Sequence, residues 1–60
     1  MTAITHAAFR ALVPVNQKCD RVVSDELCRK TFFYVHGMWV FYVENFASNV
    51  TQYYLNDINL

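Results

Sequence analysis

The stretch Thr31-Phe32-Phe33-Tyr34-Val35-His36-Gly37-Met38-Trp39-Val40-Phe41-Tyr42-Val43 decides the fold. Two runs of β-branched and aromatic residues, the types that fit a pleated surface, flank a two-residue turn candidate. Histidine is a weaker first turn residue than asparagine, but it is among the non-glycine residues that tolerate positive φ, and Gly37 supplies the second position. A two-residue turn sets the register. Val35 then faces Met38, Phe33 faces Val40, Thr31 faces Tyr42 and Arg29 faces Glu44 on one side; the other side pairs Tyr34 with Trp39, Phe32 with Phe41 and Lys30 with Val43. Both sides are apolar beside the turn, so a helix is needed over one face and a partner over the other. A competing reading makes 25–35 one helix ended by Gly37, because Leu27, Thr31, Tyr34 and Met38 also follow helical spacing and short apolar runs do not settle the period.

Working outward toward the C-terminus, Asn49-x-x-Gln52 has the form of a capping box before Tyr53 and Tyr54, whereas 50–55 has the composition of a strand. The helical reading is the favoured one here, with Val50, Tyr54 and Ile58 on one face covering the hairpin. Asp57, late in such a helix, opposes its dipole. Toward the N-terminus, Ser24 followed by Asp25 and Glu26 suits the start of a brief helix near 25–30, with Arg29 and Lys30 at its end. Residues 24–30 thus read as a charged connector. Thr5 is positioned to cap a short helix running to about Leu12, beyond which Pro14 forbids much continuation. An edge strand over 9–15 is the alternative there. The expectation is a single α+β domain over 1–60, an antiparallel hairpin at about 31–43 packed by short helices, with an all-α helical hairpin as the rival.

Length limits what such a chain can do. At 60 residues only about 60% of the unfolded chain's surface is buried on folding, and chains this short usually lean on disulfides, a metal or a partner subunit. Hydrophobic residues are 55% of the sequence and charged residues 17%, against about 45–50% and 25% in typical soluble domains. So much apolar material in so small a volume implies a contiguous exposed patch. Oligomerisation is therefore the expected supplement.

Cys19 and Cys28 could close a loop of about ten residues, worth roughly 2–3 kcal/mol on the chain-entropy model. No basic leader with a long apolar stretch opens the chain, so it reads as a complete cytoplasmic protein in which these cysteines stay reduced and the Asn49-Val50-Thr51 sequon is idle. His6, Cys19, Cys28 and His36 offer four soft ligands, but none of them forms the close pair that structural zinc sites use. No metal and no cofactor is expected. The apolar window 31–50 fails as a membrane span because it holds His36, Glu44, Asn45 and Asn49.

For catalysis, Cys19, Cys28 and scattered serines are candidate nucleophiles, His6 or His36 candidate bases, and Asp20, Asp25, Glu26 or Glu44 candidate orienters. They meet no family spacing, and the chain has little bulk for a water-excluding pocket, so no catalytic residue is assigned and the chain reads as non-enzymatic. His36 beside Gly37 reads as a solvated turn residue, or as a pH-dependent contact at an exposed tip.

Five Lys and Arg balance five Asp and Glu, which removes the basic footprint of a protein that neutralises many phosphates. Eight of these ten charges lie between Arg10 and Lys30, whereas nine of the ten aromatics lie between Phe32 and Tyr54. Aromatic sheets stack single-stranded bases when basic residues are interleaved, and the aromatic block itself contains none. The favoured function is a homo-oligomeric protein-binding module using Tyr34, Trp39, Phe41 and Tyr42, residue types enriched among interface anchors. Small bacterial, phage or plasmid accessory proteins that bind a host or cellular protein fit this description. The alternative is a nucleic-acid-associated regulator with Arg10, Lys18, Arg21, Arg29 and Lys30 on one basic face.

Overall fold

The computed structural model describes residues 1–56. Six elements follow one another: β1 (Thr2–Ile4), α1 (His6–Leu12), β2 (Arg21–Ser24), β3 (Cys28–Val35), β4 (Met38–Asn45) and β5 (Val50–Asn56). The strands form one five-stranded sheet in the order β1-β5-β4-β3-β2, every neighbouring pair antiparallel. β2 to β5 make a meander. The chain reaches it from β1 at the far edge by way of α1 and the segment 13–20, which cross one face of the sheet.

This corrects the expected architecture. The described residues form a small β-rich domain with one short helix, not a hairpin packed by several helices, and the helical-hairpin alternative is overturned; only the broad α+β description remains compatible. The helix expected near 25–30 is replaced by the β2–β3 turn and the start of β3. The tail helix is replaced by β5. Of the residues assigned to that helix, Val50 and Tyr54 lie in β5, while Asp57 and Ile58 lie outside the described residues. No helix among the described residues is long and apolar enough to cross a membrane.

The β3–β4 hairpin has the register that a two-residue turn dictates, from Val35↔Met38 and Tyr34↔Trp39 at the turn to Arg29↔Glu44 and Cys28↔Asn45 at the open end. His36 (φ 51°) and Gly37 (φ 74°) both occupy the left-handed region, the geometry whose twist matches that of the flanking strands. α1 begins where Thr5 indicates: the threonine hydroxyl accepts the Ala8 N–H at 3.0 Å, satisfying one of the donors a helix start leaves unpaired. Its C-cap, Val13, is extended, as the residue before proline must be.

The core is built between α1 and one sheet face. Phe9 and Val40 are fully buried and Val13 and Phe33 nearly so, with Leu12, Tyr42, Tyr53 and Leu55 packed around them. Phe9 is its centre, with ring centroids 4.9 Å from Tyr53, 5.6 Å from Tyr42 and 5.8 Å from Phe33. These separations lie in the range where offset and edge-on aromatic pairs add to simple area burial.

Candidate functional surface

Side chains alternate across a sheet, so the registers fix which residues share the face that α1 does not cover. Working across the strands, that face carries Arg21 and Val23 from β2, Lys30, Phe32 and Tyr34 from β3, Trp39, Phe41 and Val43 from β4, then Gln52, Tyr54 and Asn56 from β5. An aromatic strip runs through it. Phe32 stacks on Phe41 at 4.9 Å and Phe41 on Tyr54 at 5.3 Å, with interplanar angles of 28° and 24°. Trp39 meets Phe32 edge-on and leans against Tyr34 at 5.0 Å.

The strip partly shelters itself. Phe41 is only 8% exposed although no described element lies over it, because Phe32 and Tyr54 cover its two ring faces. The centroid spacings match the separation of neighbouring strands, about 4.8 Å, so the rings stand on edge against one another. The uncovered face therefore behaves as a thin second core. Its outer parts stay open, with Tyr34 51%, Val23 42% and Trp39 37% exposed.

Of the four interface candidates, Tyr34 and Trp39 are thus the ones open to a partner. Phe41 lies on the same face but is enclosed by its neighbours. Tyr42 points the other way, toward Phe9, Phe33 and Tyr53 in the core, as its position in the strand requires.

An open depression of about 470 Å³ lies on this face, lined by Arg21, Val23, Lys30, Phe32, Trp39 and Asn56. Composition by segment did not reveal it, because the cations come from the charged part of the sequence and the rings from the aromatic part. The Arg21↔Phe32 and Val23↔Lys30 pairings bring them together. Arg21 and Lys30 make no ion pair among the described residues, although the Asp25 carboxylate in the β2–β3 turn lies within electrostatic range of Lys30. The oxygen Oδ1 of Asn56, on the opposite wall, is buried and accepts no hydrogen bond.

Of the five cations expected on one basic face, Arg21 and Lys30 share the uncovered face, whereas Arg29 and Arg10 do not. Arg29 projects to the helix side, where its Nε donates to Glu44 Oε1 at 2.8 Å; that contact raises the guanidinium further above its ordinary value. Arg10 lies on α1 and donates to the Val13 carbonyl at 3.1 Å. Adjacent strand residues cannot share a face, so Arg29 and Lys30 separate.

The carboxylates considered for catalysis have structural tasks. Asp20 Oδ2 accepts the Tyr34 N–H at 2.8 Å, Glu44 holds Arg29, and Asp25 Oδ1 accepts the N–H groups of Leu27 at 2.8 Å and Cys28 at 3.0 Å. Those two backbone donors hold the Asp25 carboxyl below its ordinary pKa. His6 stacks on Tyr53 at 5.0 Å and His36 sits in its turn. Cys19 is exposed and Cys28 half-buried, both as free thiols. Among the described residues no three of His, Cys, Asp and Glu are grouped to hold a metal.

Comparison with known proteins finds no match: no family model, no curated protein and no solved structure is significantly similar to this chain.

Proposed function

We propose that this chain is a non-enzymatic protein-binding module whose working surface is the uncovered sheet face. The observation that carries the reading is the asymmetry of the sheet: one face is enclosed by α1, while the other presents Tyr34, Trp39 and Val23 around an aromatic strip with no described element over it. Large aromatics at the centre of such a patch are the side chains that anchor protein interfaces. A phage- or plasmid-type accessory protein acting on a cellular protein is one setting for this activity.

A homo-oligomer is the form of this reading that composition alone favours. Two copies meeting through this face, however, would bury Arg21 and Lys30, neither of which forms an ion pair among the described residues, and unpaired charges resist burial. The nucleic-acid reading has one observation behind it, the placement of those two cations beside Phe32 and Trp39. It predicts binding that weakens steeply as salt rises.

Capture from a cellular lysate on immobilised protein, with Trp39→Ala as the control, tests the proposal. The expected result is protein retained by the wild type and lost from the variant. Retention of nucleic acid alone, or equal retention by both proteins, would count against it.

A further inference from the structure

Charge and ring orientation on the uncovered face point to the chemistry of its partner. We propose that the depression between Arg21, Lys30, Phe32 and Trp39 takes an acidic segment of another polypeptide, an apolar side chain lodging over Phe32 while flanking carboxylates meet the two cations. The inference rests on the protein-binding reading of this face and specifies the partner within it.

Three observations select this occupant. The face carries two cations that form no ion pair among the described residues, Lys30 lying within electrostatic range of the Asp25 carboxylate in the β2–β3 turn, so electrostatic complementarity calls for an anionic surface and disfavours a second copy of the same face. The centre of the aromatic strip is closed to nucleobases: Phe41 has both ring faces covered, by Phe32 and by Tyr54, whereas base stacking needs a ring face open to solvent, which leaves the part-exposed Tyr34 and Trp39 at its margin. Apolar side chains need only the edges and grooves such a strip leaves open.

The third observation is the edge of the sheet. β2 is the outermost strand, and all four of its residues are exposed, so its outward main-chain groups have no strand partner among the described residues. An extended segment can add to such an edge through main-chain hydrogen bonds while alternate side chains reach into neighbouring pockets. Lying beside β2, every second side chain of the segment would stand over the uncovered face next to Arg21 and Val23.

Selection from a displayed library of random short peptides tests this on the folded chain. Wild type is expected to enrich peptides with carboxylates flanking an apolar residue. The double charge reversal Arg21→Glu, Lys30→Glu, made at exposed positions and checked for an unchanged circular dichroism spectrum, should weaken the selected peptides by about tenfold or more. Replacing the peptides' carboxylates by amides should weaken them similarly for wild type and have little effect on the reversed variant. Enrichment without acidic bias that is nevertheless lost with Trp39→Ala would overturn the acidic assignment and leave the protein-binding reading standing. Absence of peptide enrichment overturns both readings. In that case oligothymidylate binding, or self-association in sedimentation, would identify the face as a nucleic-acid or homotypic surface.

Discussion

The carboxylate of Asp20 accepts the backbone N–H of Tyr34 at 2.8 Å, while the Asp20 N–H donates to the Phe32 carbonyl at 2.8 Å. One residue preceding β2 therefore serves the β3 edge twice, once through its main chain and once through its side chain. The ladder is prolonged beyond the point where β2 begins, next to the exposed ring of Tyr34. Asp20→Ala removes the acceptor and should destabilise by about 1 kcal/mol, a fall of roughly 4–8 °C in Tm for a chain of this size. Asp20→Asn, which keeps an acceptor oxygen, should recover part of that loss. Thermal unfolding followed by circular dichroism checks both, and identical melting of all three proteins would remove the contact from the stability account.

Phe9 anchors α1 to the sheet. Truncation of a buried phenylalanine commonly costs about 3–5 kcal/mol, comparable to the whole stability that a single small core supplies. Phe9→Ala should accordingly unfold the domain at room temperature, seen as loss of near-ultraviolet circular dichroism and collapsed amide dispersion in NMR. Phe9→Leu should fold with a lowered Tm. A native-like Phe9→Ala spectrum would mean that the sheet holds without its helix.

At the β3–β4 turn the backbone sets the limit, because a Cβ added at Gly37 meets nothing within 4 Å and the expense lies in φ alone. Gly37→Ala should destabilise by about 1–2 kcal/mol through the left-handed conformation. His36→Asn should match or slightly exceed wild type, since asparagine is the better residue for this turn position. Chemical denaturation of the three proteins measures the order.

Asp25 gives the fold an acid-sensitive element. Its folded pKa is depressed by the N–H groups of Cys28 and Leu27, so its contribution is complete above the ordinary aspartate value of about 3.9 and disappears as pH falls through the lower folded value. Wild type should lose stability over that acidic interval relative to neutral pH, and Asp25→Asn should lose less over the same interval. Denaturation midpoints from neutral to strongly acidic pH provide the comparison; parallel curves would exclude the effect.

The sequence disclosed the central hairpin and the start of α1 because each is specified by near neighbours: a His-Gly turn between two strongly β-favouring runs, and a threonine three residues before the N–H it caps. It misled where one local signal serves two structures. Ser24-Asp25-Glu26 has the composition of a helix start, yet the Asp25 oxygen receives the N–H groups two and three residues ahead in a hairpin turn, the Asx geometry that helix caps also use. Asn45 does the same for Ala47 and Ser48. Asn49, read as a helix cap, takes φ 59° and donates its N–H back to the Asn45 carbonyl, closing the β4–β5 turn. β1 and β2, of three and four residues, are too short to show a period and exist because longer strands offer them an edge. The depression was hidden for a related reason: Arg21 and Phe32 become neighbours only through strand pairing, which averages over sequence segments do not register.

The pairing of β1 with β5, Thr2↔Leu55 to Ile4↔Tyr53, also governs the order of events during synthesis. β1 leaves the ribosome first and has no place in the sheet until β5 has emerged, whereas the β3–β4 hairpin can close from residues close in sequence. Contacts between strands so far apart carry the largest loop-closure cost and form slowly. A nascent chain arrested before β5 is released would therefore hold the hairpin without its final strand, with the β4 edge and the Phe41 ring both open to whatever chaperone or neighbouring chain is near.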